Sequence, residues 1–305
     1  MSMTETTTET AVGTAAISGA PPGNGPAASR SPLWRTLRTT PVIVALGVLT
    51  ILVFVACFAP WLWTVDPVQI NPAQRLRPIS FEHWLGTDAY GRDVYSRVLY
   101  GGRISLIVGL SVAVISMAVG LVIGVVAGYF RWVDAIVMRI MDGLMAIPGI
   151  LLAIALVSLS GSSIMTVIIA ITVPEIPRVV RLVRSVILSV RNEPYVEAAV
   201  SLGTPTVTIM LRHLVPNTIP PLIVQGTYIF ASAILTEAIL SFLGAGVPPE
   251  NSSWGNIMAE GRTFFQLIPG LVLYPGILLS MMVLSVNILG DALRDALDPR
   301  MSRRL

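Results

Sequence analysis

Lysine is absent from this chain of 305 residues, cysteine occurs once and histidine twice. A single cysteine, Cys57, excludes an intrachain disulfide and a cysteine metal cluster. The two histidines, His83 and His213, fall in different segments, so neither a metal site nor a histidine-built catalytic site is expected. Charged residues make up 12% of the chain, against about 25% in an ordinary soluble domain. No phosphate loop of the form G-x-x-x-x-G-K-S/T is present, so this chain is not expected to hold ATP in that way. These shortages exclude a disulfide scaffold and a typical soluble enzyme.

Apolar residues make up 54% of the sequence and the mean hydropathy is +0.77, which excludes an intrinsically disordered chain. They come in long blocks instead of being interspersed with polar positions. A membrane-spanning helix needs about 20 mostly apolar residues, because the hydrocarbon layer is about 30 Å thick. Six segments meet or approach that need: 41–63, 104–130, 133–159, 163–189, 217–243 and 267–290. Pro174, Glu175, Pro177 and Arg178 interrupt the fourth, and Glu237 falls in the fifth. Backbone groups in lipid must bond within their own segment, so the spans are helices. They are too long and too continuously apolar for barrel strands. The expected class is an all-α polytopic membrane protein with six transmembrane helices.

The residues 1–40 are polar and rich in Thr, Gly and Pro, and are expected to form a disordered tail. The first apolar block is longer than the core of a cleavable signal peptide. Cys57 reads as a small apolar residue of the first helix. After the first span comes a polar segment, 64–103; the membrane core is expected over 104–290, and a short charged tail over 291–305. Arginine placement sets the orientation. With the N-terminus inside and six spans, fourteen arginines fall on the inner side and six on the outer. Both termini and the loop 190–216, between spans four and five, are then cytoplasmic. The segment 64–103 keeps five arginines outside, where acidic partners would soften the cost.

That loop reads Glu197-Ala198-Ala199-Val200-Ser201-Leu202-Gly203, and Leu214-Val215-Pro216 follows. Helix formers flank Glu197, and Gly203 with Pro205 makes a stop and a turn. The spacing predicts a short helix, a sharp bend and a second short helix along the membrane surface. Such an element could dock in a groove on another protein.

Here the chain resembles the inner-membrane permeases of ABC importers, whose signature is this Glu-Ala-Ala, three residues, Gly pattern. Three further stretches are similar to the dipeptide/oligopeptide/nickel branch. They are His83-Trp84-Leu85-Gly86-Thr87-Asp88 with Gly91-Arg92-Asp93 and Ser96-Arg97, Glu237–Gly244 continued by Pro248-Pro249 and Ser253-Trp254-Gly255, and Asn287–Arg300. Within that branch the pattern resembles the second, DppC/OppC-like subunit. His213 and Val215 depart from the residues general importers carry before the closing proline. The first 40 residues lie outside the likeness.

The resemblance implies a bacterial plasma (inner) membrane protein, non-catalytic itself, forming half of a translocation path for di- or oligopeptides. It implies a second, DppB/OppB-like permease, two ATP-binding subunits that hold ATP and Mg, and an extracytoplasmic substrate-binding protein. Membrane lipid surrounds the assembly, and no cofactor or nucleic acid is expected on this chain. It makes Glu193, Tyr195, Glu197, Ala198, Ala199, Leu202 and Gly203 the ATPase-coupling residues. Nickel or another small solute is the alternative cargo. A membrane-embedded enzyme is disfavoured: Asp142 has no second aspartate at its depth, and no histidine lies in a span.

Ionisable residues inside spans cost about 2.5–3.5 kcal/mol on insertion scales, so they face protein or water. Asp142 and Glu237 are the candidates for lining the path. The structural alternative pairs Asp142 with Arg139 and sets Glu237 at a helix end near the outer interface. Glu175 and Arg178, three residues apart, suit a helical ion pair. Gly120, Gly124 and Gly128 share one helical face and allow close approach of another span of the same chain. Pro148 is expected to bend the third span. Trp61, Trp63, Trp84 and Trp254 are expected at the outer interface.

Overall fold

Prolines and small polar caps set most helix boundaries. The computed structural model describes residues 39–297. The expected tail 1–40 lies outside the described residues but for its last two, and residues 298–305 lie outside as well. Helix α1, Thr40–Cys57, carries Pro41 in its first turn, where the missing N–H costs no bond. It gives way to a 3₁₀ turn over Ala59–Trp61, so it ends short of the expected 63. Helix α2, Val94–Tyr129, opens on Asp93, whose carboxylate accepts from the Ser96 N–H at 2.8 Å. That cap starts the helix ten residues before the apolar block does.

Helices α3, Arg131–Met145, and α4, Gly149–Ser160, meet at 88°. The segment 133–159 is therefore a broken helix, not one straight span. Pro148 lacks an N–H and cannot continue α3, which supplies the break. Helix α5, Ile164–Val190, opens on Ser163, which caps the Thr166 N–H at 3.0 Å. Helix α6 is Pro194–Ser201. Helix α7, Thr206–Ile209, passes through a π turn, Met210–Leu214, into α8, Val215–Phe242. The second short helix expected along the membrane surface is thus the first turn of an unbroken 37-residue run, Thr206–Phe242. Helix α9, Trp254–Gly261, is capped by Ser253, and α10 is Gly270–Leu297. Among the described residues the β pairing is one isolated bridge, Thr87 to Asp93.

By length and composition α1, α2, the α7–α8 run and α10 can each cross a membrane, and the bent α3–α4 pair makes a fifth span if taken together. Helix α5 is more charged than these, with Glu175, Arg178, Arg181 and Arg184, yet protein encloses much of it. Val167, Ile171, Val179, Val183 and Ile187 are each at most 1% exposed. Its partner is α2. A Cβ on Gly120, Gly124 or Gly128 would lie 2.5, 2.7 or 2.7 Å from the Cβ atoms of Val179, Val183 and Ile187. Real Cβ atoms do not approach so closely, so only glycine lets these helices meet. Gly124→Leu is expected to force them apart at a cost of about 1–3 kcal/mol. Thermal unfolding in detergent checks this, and an unchanged midpoint would contradict the close packing.

The segment before α2 is pinned by buried ion pairs. Asp88 Oδ2 accepts from Arg92 Nε at 2.6 Å and from Arg97 Nη1 at 2.6 Å. Glu260 Oε2, on α9, accepts from Arg92 Nη2 at 2.5 Å and from Arg97 Nη1 at 2.8 Å. Arg97 is fully buried and Asp88 nearly so. His83 joins Asp93 to Gln74 through its two ring nitrogens, at 2.9 and 2.8 Å. Asp88 and Glu260 thus supply acidic partners for two of the five arginines of 64–103, Arg92 and Arg97. Trp254 departs from expectation. It is 3% exposed, lies against Gly101 and Gly102, and donates its Nε1–H to the Val98 carbonyl at 2.9 Å. It is a packing residue that fixes α9 on α2, whereas Trp61, Trp63 and Trp84 are exposed.

Candidate functional site

Two features combine exposure with a built structure. The first is α6. Pro194 starts it and Gly203 stops it: Gly203 has φ +76°. There the Gly203 N–H donates to the Val200 carbonyl at 2.9 Å, and the Thr204 N–H to the Ala199 carbonyl at 3.1 Å. That pair of bonds is a Schellman ending, which favours glycine at the left-handed position. Val196 and Ala199 face inward, and Val196 shares a buried cluster with Ile187, Ile209 and Leu214. Tyr195, Ala198 and Leu202 share an outward stripe, with Leu202 86% exposed. Tyr195 is braced from behind, its hydroxyl accepting from Asn217 Nδ2 at 3.2 Å. Glu197 is exposed in the first turn, where a negative charge suits the helix dipole. The helix therefore presents an apolar stripe edged by acid while its back is locked into the core.

The second feature is a file of open clefts along α8. One of about 500 Å³ is bounded by Pro148, Gly149, Glu175, Arg178, Ser232 and Thr236. A second, about 310 Å³, shares Glu175, Arg178 and Ser232 and continues to Gln225, Tyr228 and Asn287. A third, about 410 Å³, shares Gln225 and Tyr228 and reaches Pro221 and Arg294. Pro221, Gln225, Tyr228, Ser232 and Thr236 are spaced three or four apart, so they form one face of α8. The fifteen helical steps from Pro221 to Thr236 make that face about 22 Å long, most of the roughly 30 Å hydrocarbon layer. Where the first two clefts meet, Arg178 Nη1 bonds both oxygens of Glu175, at 3.0 and 3.1 Å.

Comparison with known proteins supplies a family. Residues 120–303 match the binding-protein-dependent transport system inner membrane component, and residues 32–78 match the N-terminal TM domain of oligopeptide transport permease C. The chain belongs to the first of these families. As a binding-protein-dependent transport component it is a multi-pass inner-membrane protein. It is 53% identical, over 86% of this chain and 90% of the other, to a probable peptide ABC transporter permease protein of Sinorhizobium fredii. It is 42% identical to the dipeptide transport system permease protein DppC of Alkalihalophilus pseudofirmus, over 85% and 86% of the two chains. A glutathione transport system permease protein of Pectobacterium atrosepticum is 39% identical over 88% and 90%.

Against this permease frame, the candidates named from sequence fall in different places. Glu193 to Gly203 form one element, as described. Asp142 is exposed on α3 and pairs with Arg181 of α5 at 2.5 Å, not with Arg139. Asp134, about two turns earlier on α3, takes a two-point bond from Arg184. The two pairs clip α3 onto α5. Glu237 is not at an interface: it is fully buried. Ser241 and Ser253 donate to its Oε1, both at 2.8 Å, and Ser105 to its Oε2 at 3.3 Å. Ser253 also caps α9, so Glu237 ties α8 to α9 and α2. Among the described residues Asp142 and Glu237 share no partner. The polar face of α8 was missed because Gln225, Tyr228, Ser232 and Thr236 are uncharged. Their three-to-four spacing was the available signal.

Proposed function

We propose that the chain forms half of the membrane path of an ATP-driven importer for di- or oligopeptides. The observation that carries this reading is the polar face of α8, open along its length and continuous with α7 beside the exposed stripe of α6. A polar solute crossing bare hydrocarbon would leave groups unpaired at several kcal/mol each. A half-lined cleft meets that need once a second, DppB/OppB-like permease closes its open side. Counting the bent α3–α4 pair as one span and the enclosed α5 as another gives six, with both termini and α6 in the cytoplasm. The arginine bias supports that orientation.

In this arrangement Tyr195, Ala198 and Leu202, with Glu193 and Glu197 at the edge, seat in one of two ATP-binding subunits. Gly203 and Ala199 hold the shape of that element. ATP and Mg reside in those partners and this chain performs no chemistry. Closure of the ATPases pushes α6. The buried Val196 and the run into α8 carry that push into the path, as a rigid-body change between two arrangements. A substrate-binding protein delivers cargo on the far side. The names of the relatives favour peptides over nickel as cargo. The test is ATP-dependent uptake of a labelled dipeptide by proteoliposomes holding the whole importer. Uptake that requires binding protein and ATP is expected; none with a range of peptides would reject the cargo.

A further inference from the structure

The clefts along α8 meet at one charged pair whose position suggests more than packing. Glu175 is the twelfth residue of the 27 in α5, about midway along the helix. Its side chain is 8% exposed while that of Arg178 is 56% exposed. The guanidinium therefore opens onto the cleft and the carboxylate sits behind it. Both residues, with Ser232, bound two clefts at once, so the pair forms the partition between them. The larger clefts fall within the roughly 300–1,000 Å³ of ordinary small-ligand sites. Among the described residues no other charged side chain bounds either of these two clefts. Elsewhere on α5, Arg181 and Arg184 are committed to Asp142 and Asp134 on α3. Among the described residues Glu175 and Arg178 have only each other as ion-pair partners.

A short peptide with free ends carries the same two groups, an ammonium and a carboxylate. We propose that the Glu175–Arg178 pair is a contact point for a zwitterionic peptide in the path, exchanging its internal bond for bonds to the two peptide ends. Arg178 takes the carboxylate, for which a guanidinium is geometrically suited. Glu175, uncovered as Arg178 turns outward, takes the ammonium. With the path empty the pair closes on itself, so neither charge is left unpaired at mid-helix. This rests on the peptide-importer reading given above.

The test uses the complete importer in proteoliposomes. Glu175→Gln and Arg178→Gln are each expected to lower the maximal uptake of a free-ended dipeptide about tenfold or more, the loss of one charge-assisted bond. Glu175→Asp and Arg178→Lys, which keep the charges, are expected to recover most of it. A second readout separates contact from mere support. With Cys57→Ser removing the native thiol, Ser232→Cys is expected to react with a water-soluble methanethiosulfonate reagent. Dipeptide present during turnover is expected to slow that reaction several-fold, and Glu175→Gln to abolish the slowing. Wild-type uptake in both glutamine variants, or a thiol indifferent to dipeptide, would overturn the pair's role while leaving the peptide reading intact. No dipeptide uptake by the unmodified importer would overturn both.

Discussion

Arg97→Ala is expected to lower the stability of the folded protein by about 3–5 kcal/mol, the usual cost of removing one partner from a buried ion pair. Arg97 is fully buried and bridges Asp88 to Glu260 while also reaching Ser252. Its loss leaves two carboxylates turned toward a cavity, with Arg92 alone to neutralise them. Salt cannot restore the balance, because screening acts weakly on enclosed charges. Thermal unfolding in detergent at low and high salt measures this. A midpoint within a degree of wild type would show that the network carries little of the stability. Replacing all four charged residues by apolar ones of similar volume is expected to be much milder than the single change.

Uncoupling is the second large effect. Gly203→Pro is incompatible with φ +76°, since proline is held near −65°, and it removes the N–H bonded to Val200. Glu197→Arg leaves the backbone alone and reverses a charge in the first turn of α6. In the proposed arrangement both variants insert normally and assemble. Peptide uptake is then expected to fall to background while ATP hydrolysis continues. Gly203→Ala is expected to cost only about 1–2 kcal/mol locally and to retain partial uptake. Uptake and phosphate release from the same proteoliposomes check the set. Wild-type uptake in Glu197→Arg would remove α6 from the coupling path.

Helix content and the glycine stripe were legible because each depends on local pattern. Apolar blocks specify helices in lipid, and glycines every fourth residue specify a flat face. The sharp break at Pro148 was legible as a bend, but its 88° was not, since the angle depends on what α4 rests against. Boundaries set by side-chain caps, as at Asp93, were hidden beneath hydropathy, which sees no hydrogen bonds. The partners of Asp142 and Glu237 were not legible either. Arg181 lies 39 residues from Asp142, and Ser105 lies 132 from Glu237. Only the packing of α3 on α5, and of α2 and α9 on α8, brings those groups together.

The unbroken run Thr206–Phe242 joins two places that a loop would have kept mechanically independent. At about 1.5 Å per residue it is a lever arm of roughly 55 Å. Its far end is bolted to α9 through Glu237 and Ser253. Pro220 and Pro221 take two bonds out of this arm about two-fifths of the way from its α7 end. Flexing should therefore concentrate there, leaving the stretch beyond to swing as one piece.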